Sequence, residues 1–229
     1  MVTFDDIKNS EKKKIAKSLK RSRDPIRVSY ILTQFYTYFD RNFHDYIINN
    51  GVNIECKEGC DYCCYLKVDA RAHEIFTIAD HVEKHFAPAE VTALKERLHE
   101  AADKIAPLTK KEHLSTNISC GLLADGMCSV YSVRPLLCRK CHSTSVDMCR
   151  AYFENPTDRS IGTSEDIGLN AVARAAIEGF GEGLEKSRLD TTVYEINRAL
   201  LYAMEDLTLY KASWRKGEKA FPDDADAKN

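Results

Sequence analysis

The sequence lacks any run of about 18 consecutive apolar residues, the length that a membrane-spanning helix needs. Its first residues, MVTFDDIKNSEKKK, carry acidic side chains at once and contain no apolar stretch of signal-peptide length. These absences predict a cytoplasmic protein without a membrane span. A hydrophobic fraction of 44% with 30% charged residues excludes wholesale disorder, a fibrous repeat and a bundle of membrane spans.

The chain also lacks an excess of charge of either sign, since its formal net charge is −2. We therefore expect no nucleic-acid partner. Basic residues do crowd the segment 8–23, but no aromatic side chain lies among them, so we interpret it as the solvated face of an amphipathic helix. Contact with nucleic acid or an anionic membrane is the alternative for this run. The inward face of the helix would carry Ile7, Ile15 and Leu19, and the basic residues are Lys8, Lys12, Lys13, Lys14, Lys17, Lys20, Arg21 and Arg23.

Common catalytic motifs are absent as well: the sequence has neither a GxxxxGK phosphate loop nor a GxSxG nucleophile elbow. The glycines of Gly179-Phe-Gly181-Glu-Gly183 fall towards the end of a predicted helix. Since they do not follow a strand, we expect them to fray that helix and not to bind a dinucleotide.

Cysteine is the residue present in excess, with nine in the chain. An odd number fits poorly with a closed set of disulfides, and the cytoplasm keeps thiols reduced. A buried small apolar side chain is the ordinary alternative for any single cysteine, and for Cys149 it stays open. Four cysteines within residues 56–64 do not follow helical spacing, so the clusters indicate metal binding.

Most of the remaining sequence predicts helix, giving a mainly α, single irregular helical domain. Asp24-Pro25 is typical of a helix start and Asn50-Gly51 of a helix end. Apolar residues recur between them at steps of three or four: Val28, Ile31, Phe35, Phe39, Phe43 and Ile47. Further helices are predicted from a cap at Asp69 to Pro88, from Pro88 through Ile105, from Thr163-Ser164 through Ile177, and over about Thr191–Met204.

A hairpin interrupts this helical pattern at residues 118–133. Asp125-Gly126 lies between apolar residues, the usual signal of a tight turn between two strands. We divide the chain into a basic N-terminal helix (1–23), a helical domain (24–210) with the cysteine-rich region at about 54–149, and a polar C-terminal tail (211–229). The last dozen residues of this tail are expected to fray.

The cysteines fall in compact segments whose spacing suits metal ligation. Two or three residues between cysteines let two thiolates reach one ion while backbone N–H groups donate to the sulfurs. The hairpin turn would hold Cys120 near Cys128, and Cys138-x-x-Cys141 is another such pair. The candidate ligands are Cys56, Cys60, Cys63, Cys64, Cys120, Cys128, Cys138 and Cys141. The cations predicted to offset the thiolate charge are Lys57, Arg134, Arg139 and Lys140.

The run CKEGCDYCC, followed by C-x7-C-S-V-Y-x-x-R-P-x-x-C-R, resembles the YkgJ-type cysteine-cluster family of zinc- or iron-chelating domains, whose signature is CxxCxxCC. The resemblance covers about residues 54–142. It departs from the signature at one point, because three residues separate Cys56 from Cys60. It implies metal ligation by the seven cysteines from Cys56 to Cys138, with accessory roles for Tyr131, Arg134, Pro135 and Arg139.

The metal and its use stay open at this level. Bunching of the thiols favours an iron–sulfur cluster, of the 4Fe-4S type, over zinc. Cys56-x3-Cys60-x2-Cys63 is also similar to the cluster motif of radical S-adenosylmethionine enzymes, and flagellin lysine N-methylases carry a related cluster. An enzyme that methylates a protein or peptide side chain is therefore one alternative, although the strands of an α/β barrel are missing. A metal chaperone or buffer is the other, and a protein partner is left open.

Two histidine features are secondary. His81 and His85 are four residues apart, a spacing that can bind metal on one helix face. Without an H-E-x-x-H signature we interpret them as surface or core histidines. His142, beside Cys141, is a candidate substitute ligand.

Overall fold

The computed structural model describes residues 3–20, 25–57, 59–162 and 164–227. Within them the protein is mainly helical, as the sequence predicts. The helices are α1 (Phe4–Leu19), α2 (Pro25–Asn50), α3 (Ala72–His85), α4 (Pro88–Ile105), α5 (Lys110–His113), α6 (Leu136–Lys140), α7 (Val146–Glu154), α8 (Ile167–Lys186), α9 (Ile196–Glu205) and α10 (Leu207–Lys216). The strands are β1 (Asp69–Arg71), β2 (Leu123–Ala124), β3 (Met127–Cys128) and β4 (Val193–Glu195). They form the antiparallel pairs β1–β4 and β2–β3.

Helix α2 has the bounds that its sequence signals predict. Proline is its first residue, and it ends at Asn50 before Gly51, whose φ of 64° suits glycine. The expected cap, Asp24, lies outside the described residues. Val28, Phe35 and Phe39 are buried, so the predicted apolar face is the one that faces the core. Helix α4 likewise begins at Pro88 and runs through Ile105.

Helix α1 packs along α8, and glycines permit the close approach. A Cβ added at Gly179 would lie 2.3 Å from the carbonyl oxygen of Lys8, and one at Gly183 would lie 2.6 Å from Cβ of Ile15. The expectation that the Gly179–Gly183 segment frays is therefore wrong, because these glycines are the buried contact face inside α8.

The basic segment is an amphipathic helix, as interpreted. Ile15 and Leu19 of α1 are buried, while the ammonium groups of Lys8 and Lys12 lie 3.2 and 2.7 Å from the Glu182 carboxylate of α8. Arg21 and Arg23 lie outside the described residues.

Two predicted helix starts are wrong because strand pairing between distant segments intervenes. Asp69 does not cap α3: it pairs with Glu195 in the β1–β4 sheet, and α3 begins three residues later. The segment predicted as helix from Thr191 first forms β4, and the Glu195 carboxylate then caps α9.

Helix α8 also begins later than predicted. The Asp166 carboxylate accepts a hydrogen bond of 2.7 Å from the Leu169 N–H, so Asp166 is the cap and Ile167 the first helical residue. Thr163, the first of the two residues at which the sequence predicts this start, lies outside the described residues.

The expected frayed tail is wrong for the residues described there. Helix α10 continues to Lys216, and the residues after it return to the core, where Phe221 and Ala227 are buried. The Ala227 N–H donates to the Val193 carbonyl at 3.0 Å. Apolar residues between the acidic ones anchor the segment, since their burial outweighs the loss of chain freedom.

No described helix is long and apolar enough to cross a membrane. The main core lies where α2, α3, α8 and α9 meet, with Trp214 of α10 fully buried in it.

His73 is a buried histidine in this core. Its ring stacks on Phe180 with centroids 5.3 Å apart and lies 6.3 Å from the Trp214 ring. Neither ring nitrogen has a hydrogen-bond partner among the described residues. Burial, and to a lesser extent the Arg71 charge, lowers the pKa of His73 from 6.5 to about 3, so the ring is neutral at neutral pH.

Replacing His73 with phenylalanine should make the fold more resistant to acid. As the pH falls from 6.5 towards 3, His73 is protonated in the unfolded chain but stays neutral in the folded one. The free energy of unfolding therefore decreases on acidification. At about pH 5 this loss is about 2 kcal/mol. Urea unfolding of wild type and His73→Phe at pH 7 and pH 5 measures it, with the exposed His44→Gln as control. Equal losses in wild type and His73→Phe would contradict the account.

Candidate metal centre

The first cysteine segment is a loop that closes into two tight turns. The Cys60 N–H donates to the Lys57 carbonyl at 3.0 Å, and Gly59 takes a φ of 81° that favours glycine. A 3₁₀ turn follows over Tyr62–Tyr65, in which the Cys64 N–H donates to the Asp61 carbonyl at 2.8 Å. Three cysteines thus lie within two consecutive turns.

The predicted hairpin is present and meets this segment. Leu123 pairs with Cys128, and the turn residues Asp125 and Gly126 both have positive φ. The Cys120 N–H donates to the Cys64 carbonyl at 2.8 Å. That hydrogen bond joins the hairpin directly to the 3₁₀ turn.

Helix α6 carries the third cysteine segment, and the buried side chains of Glu74 and Arg139 hold this helix in place. The Glu74 carboxylate accepts from the Leu136 N–H at 2.8 Å, at the first residue of α6. Arg139 is buried, with its guanidinium 2.6 Å from the Asp40 carboxylate and 3.8 Å from the centre of the Tyr36 ring. These contacts orient Cys138 and Cys141. Sequence reasoning missed Glu74, Asp40 and Tyr36, which carry no local signal for this role.

Six thiols from the three segments face one another, and we call them the inner group. Each of them interacts electrostatically with others of the set: Cys63, Cys64, Cys120, Cys128, Cys138 and Cys141. Burial raises the pKa of Cys120 to about 12 and that of Cys138 well above its usual value. Free thiols at these positions are protonated at neutral pH, so metal binding would release protons.

Cys63 is the exception within the inner group. Hydrogen bonds from the Cys141 and Cys64 thiols lower the pKa of Cys63, and the Arg134 charge lowers it further. The same hydrogen bonds raise the pKa values of the two donors. A thiolate is thus favoured at Cys63, which is the form that binds metal.

Three further thiols form an outer group of Cys56, Cys60 and Cys149. The Ser143 N–H donates to Cys56 Sγ at 3.2 Å. Burial raises the pKa of Cys56, and neighbouring charges, Cys60 and Cys149 among them, raise it further. The charges of Cys63 and Cys149 act on Cys60 in the same way. Sequence reasoning had not assigned Cys149 a place, and its position on α7 brings it here.

Of the four cations predicted to face the sulfurs, Arg134 acts on the inner group. Burial raises the pKa of Cys128 and the Arg134 charge opposes that rise. The Arg139 guanidinium instead contacts Asp40 and Tyr36. The Lys140 ammonium lies 3.2 Å from Asn170 and 3.7 Å from Glu165. Lys57 is exposed on the first loop.

The histidines make different contacts. Both ring nitrogens of the buried His142 are engaged: Nε2 accepts from the Asp166 N–H at 3.0 Å, which leaves Nδ1 to donate to the Lys140 carbonyl at 2.9 Å. As placed, His142 links α6 to the start of α8 and has no free nitrogen for a metal. His81 and His85 lie at the end of α3 with ring centroids 4.6 Å apart, and His85 is exposed.

The cysteine sulfurs lie in one region of the molecule, but they are not oriented towards one common ion position. Across the described parts of the chain, no three His, Cys, Asp or Glu side chains are placed so as to hold a single ion as they stand. A cysteine side chain reorients by rotation about one bond, χ1.

Comparison with known proteins supplies the family. Residues 55–160 match the family model described as "CxxCxxCC: Putative zinc- or iron-chelating domain". This segment is a CxxCxxCC domain. It contains all nine cysteines and the hairpin, α6 and α7. Zinc or iron chelation is the property that the family description carries. No curated protein and no solved structure matches the chain.

Replacing Arg134 with glutamine should weaken metal binding by the inner group roughly tenfold, because a cation facing the sulfurs favours their thiolate form. Zinc added to metal-free protein is the probe. Competition with a chromophoric chelator at pH 7 measures the affinity. The matched control is Lys140→Gln, which removes the same charge from a residue paired with Glu165. Equal weakening by the two variants would contradict the role given to Arg134.

Proposed function

We propose that the inner group of the CxxCxxCC domain ligates an iron–sulfur cluster of the 4Fe-4S type through four of its six thiols. The observation that carries the proposal is the meeting of three chain segments around Cys63. The 3₁₀ turn, the hairpin and α6 each contribute two cysteines, and the Cys64–Cys120 backbone hydrogen bond joins two of the segments.

The chemistry of the donor set supports this choice. Thiolate is the usual ligand of iron–sulfur clusters, and N–H donors to sulfur stabilise the charge that such a cluster leaves on its ligands. The backbone N–H groups of Leu122 and Val130 donate to Cys120 and Cys128, and Arg134 supplies a positive charge. When bound, the cluster would supply one-electron transfer.

The enzyme alternative is not favoured by a specific observation. Cys56, Cys60 and Cys63 do lie within electrostatic reach of one another. The described residues, however, form helices and two short antiparallel pairs, whereas the radical enzymes build an α/β barrel of parallel strands. A radical S-adenosylmethionine reaction would therefore need a different scaffold around the same cysteines.

Protein purified without oxygen should be brown, with iron and acid-labile sulfide in comparable amounts. The double variant Cys120→Ser/Cys138→Ser should lose both the colour and the iron, because it removes a ligand from the hairpin and one from α6. It should also be less stable, since site assembly and folding are coupled. Cys149→Ser, in the outer group, is the matched control and should keep its colour.

Two results would contradict this proposal, one by removing the inner group as the site and the other by changing the metal. Undiminished metal content in Cys120→Ser/Cys138→Ser would remove the inner group as the site. A colourless wild type with stoichiometric zinc that the double variant loses would keep the site and replace the cluster by zinc. Circular dichroism of each variant reports whether the helices persist.

A further inference from the structure

A cleft of about 190 Å³ lies beside the cysteine region, between the chain that follows the 3₁₀ turn, helix α5 with the segment after it, and helix α7. We call it the α5 cleft. The Ile118 N–H donates to the Tyr65 carbonyl at 3.2 Å, and the Tyr152 hydroxyl donates to the Leu114 carbonyl at 3.4 Å, so hydrogen bonds hold these three segments together. Sites for drug-sized ligands measure about 300–1,000 Å³. The α5 cleft therefore suits a smaller molecule.

His113 is a buried polar side chain that lines the α5 cleft without a hydrogen-bond partner. It is 6% exposed, and its ring makes no hydrogen bond to any residue that the structure describes. Burial, followed by the charges of Lys67 and Arg198, lowers the pKa of His113 from 6.5 to about 4. The ring is thus neutral at neutral pH and presents one N–H donor and one acceptor nitrogen. Because buried polar groups are normally hydrogen-bonded, this ring favours a ligand that accepts a hydrogen bond in the cleft.

The charge at the α5 cleft is positive. The Lys67 side chain lines the cleft and is 4% exposed, and its ammonium contacts the Asp69 carboxylate. An ammonium has three N–H donors, so this contact does not exhaust them. The charges that act on His113 are those of Lys67 and Arg198, and both are positive. An anionic group in the cleft would be attracted by them.

The outer wall of the α5 cleft is apolar. The exposed side chains of Leu66 and Leu114 lie along it, together with Tyr152 and Pro156. A short hydrocarbon chain that covers these side chains is removed from water, which is favourable. Phosphate or sulfate has no apolar part to cover them, so the cleft favours an anion that carries a hydrocarbon chain.

From these contacts we propose that the α5 cleft binds a small organic monocarboxylate with a short apolar chain. The carboxylate accepts hydrogen bonds from the Lys67 ammonium and the His113 ring, and the chain lies against Leu66 and Leu114. Binding is noncovalent and involves no cysteine. The site is therefore independent of the metal that we propose for the inner group.

Saturation-transfer NMR on the full chain, purified with its metal, tests the proposal with sodium butyrate as the probe. Butyrate should bind saturably, with a Kd in or below the millimolar range. The n-butylammonium ion has the same chain length and the opposite charge, so it should bind at least about tenfold more weakly. Equal binding of the two probes, or no saturable binding of butyrate, would overturn the proposal.

Substitutions of the exposed Leu114 test whether butyrate binds in the α5 cleft. Leu114→Glu adds a negative charge at the edge of the cleft and should weaken butyrate binding at least about fivefold relative to Leu114→Gln, the matched neutral control. Equal affinities of these two variants would overturn the proposal. Lys67→Met should also lose binding, with circular dichroism to show that the helices persist. Lys110→Gln, which removes a charge from an exposed residue of α5, should bind butyrate as the wild type does.

The cysteine variant separates this site from the metal centre. Cys120→Ser/Cys138→Ser should keep its affinity for butyrate although it loses its metal. Loss of butyrate binding in this variant, with its helices intact, would place the carboxylate on the metal and overturn the proposal. Loss of iron from the variant reports the inner group alone, so failure of one site is distinguished from failure of the other.

Discussion

Glu74 is buried in the first turn of α3, where its carboxylate accepts hydrogen bonds from the Arg71 N–H at 2.9 Å and the Leu136 N–H at 2.8 Å. The first donor belongs to β1 and the second begins α6, so one side chain couples the core to the cysteine region. Burial raises the pKa of Glu74, and its hydrogen bonds oppose that rise. A buried acceptor with two backbone donors cannot be removed without leaving those donors unsatisfied. The position of Cys138 and Cys141 follows from this constraint.

The parts of the fold that the sequence predicts are those with local signals. Pro25 and Asn50-Gly51 bound α2, Pro88 begins α4, and Asp125-Gly126 makes the hairpin, because each residue restricts its own backbone. The errors come from contacts between distant segments. Asp69 is drawn into a sheet with Glu195, and the glycines of α8 are explained by the approach of α1. The burial of Phe221 depends on Tyr194 and Phe76, which lie far away in the sequence.

In the candidate site, too, local signals predict some features, and contacts between distant segments determine the others. Short spacing, the hairpin turn and the family resemblance together select the eight candidate cysteines, since thiols two or three residues apart are unusual in an ordinary core. Their division into an inner and an outer group depends on how the hairpin, α6 and α7 pack, which spacing does not encode. The same packing gives Cys149 its neighbours and separates the roles of Arg134 and Arg139, which are only five residues apart.

The central claim is that cysteine sulfur holds metal in this CxxCxxCC domain. X-ray absorption at the metal edge of the purified protein tests it most directly, because it reports the identity and distance of the first ligands. The account predicts a first shell of sulfur at about 2.3 Å, with iron–iron scattering beyond it from the inner group. A first shell composed of nitrogen and oxygen would contradict the claim.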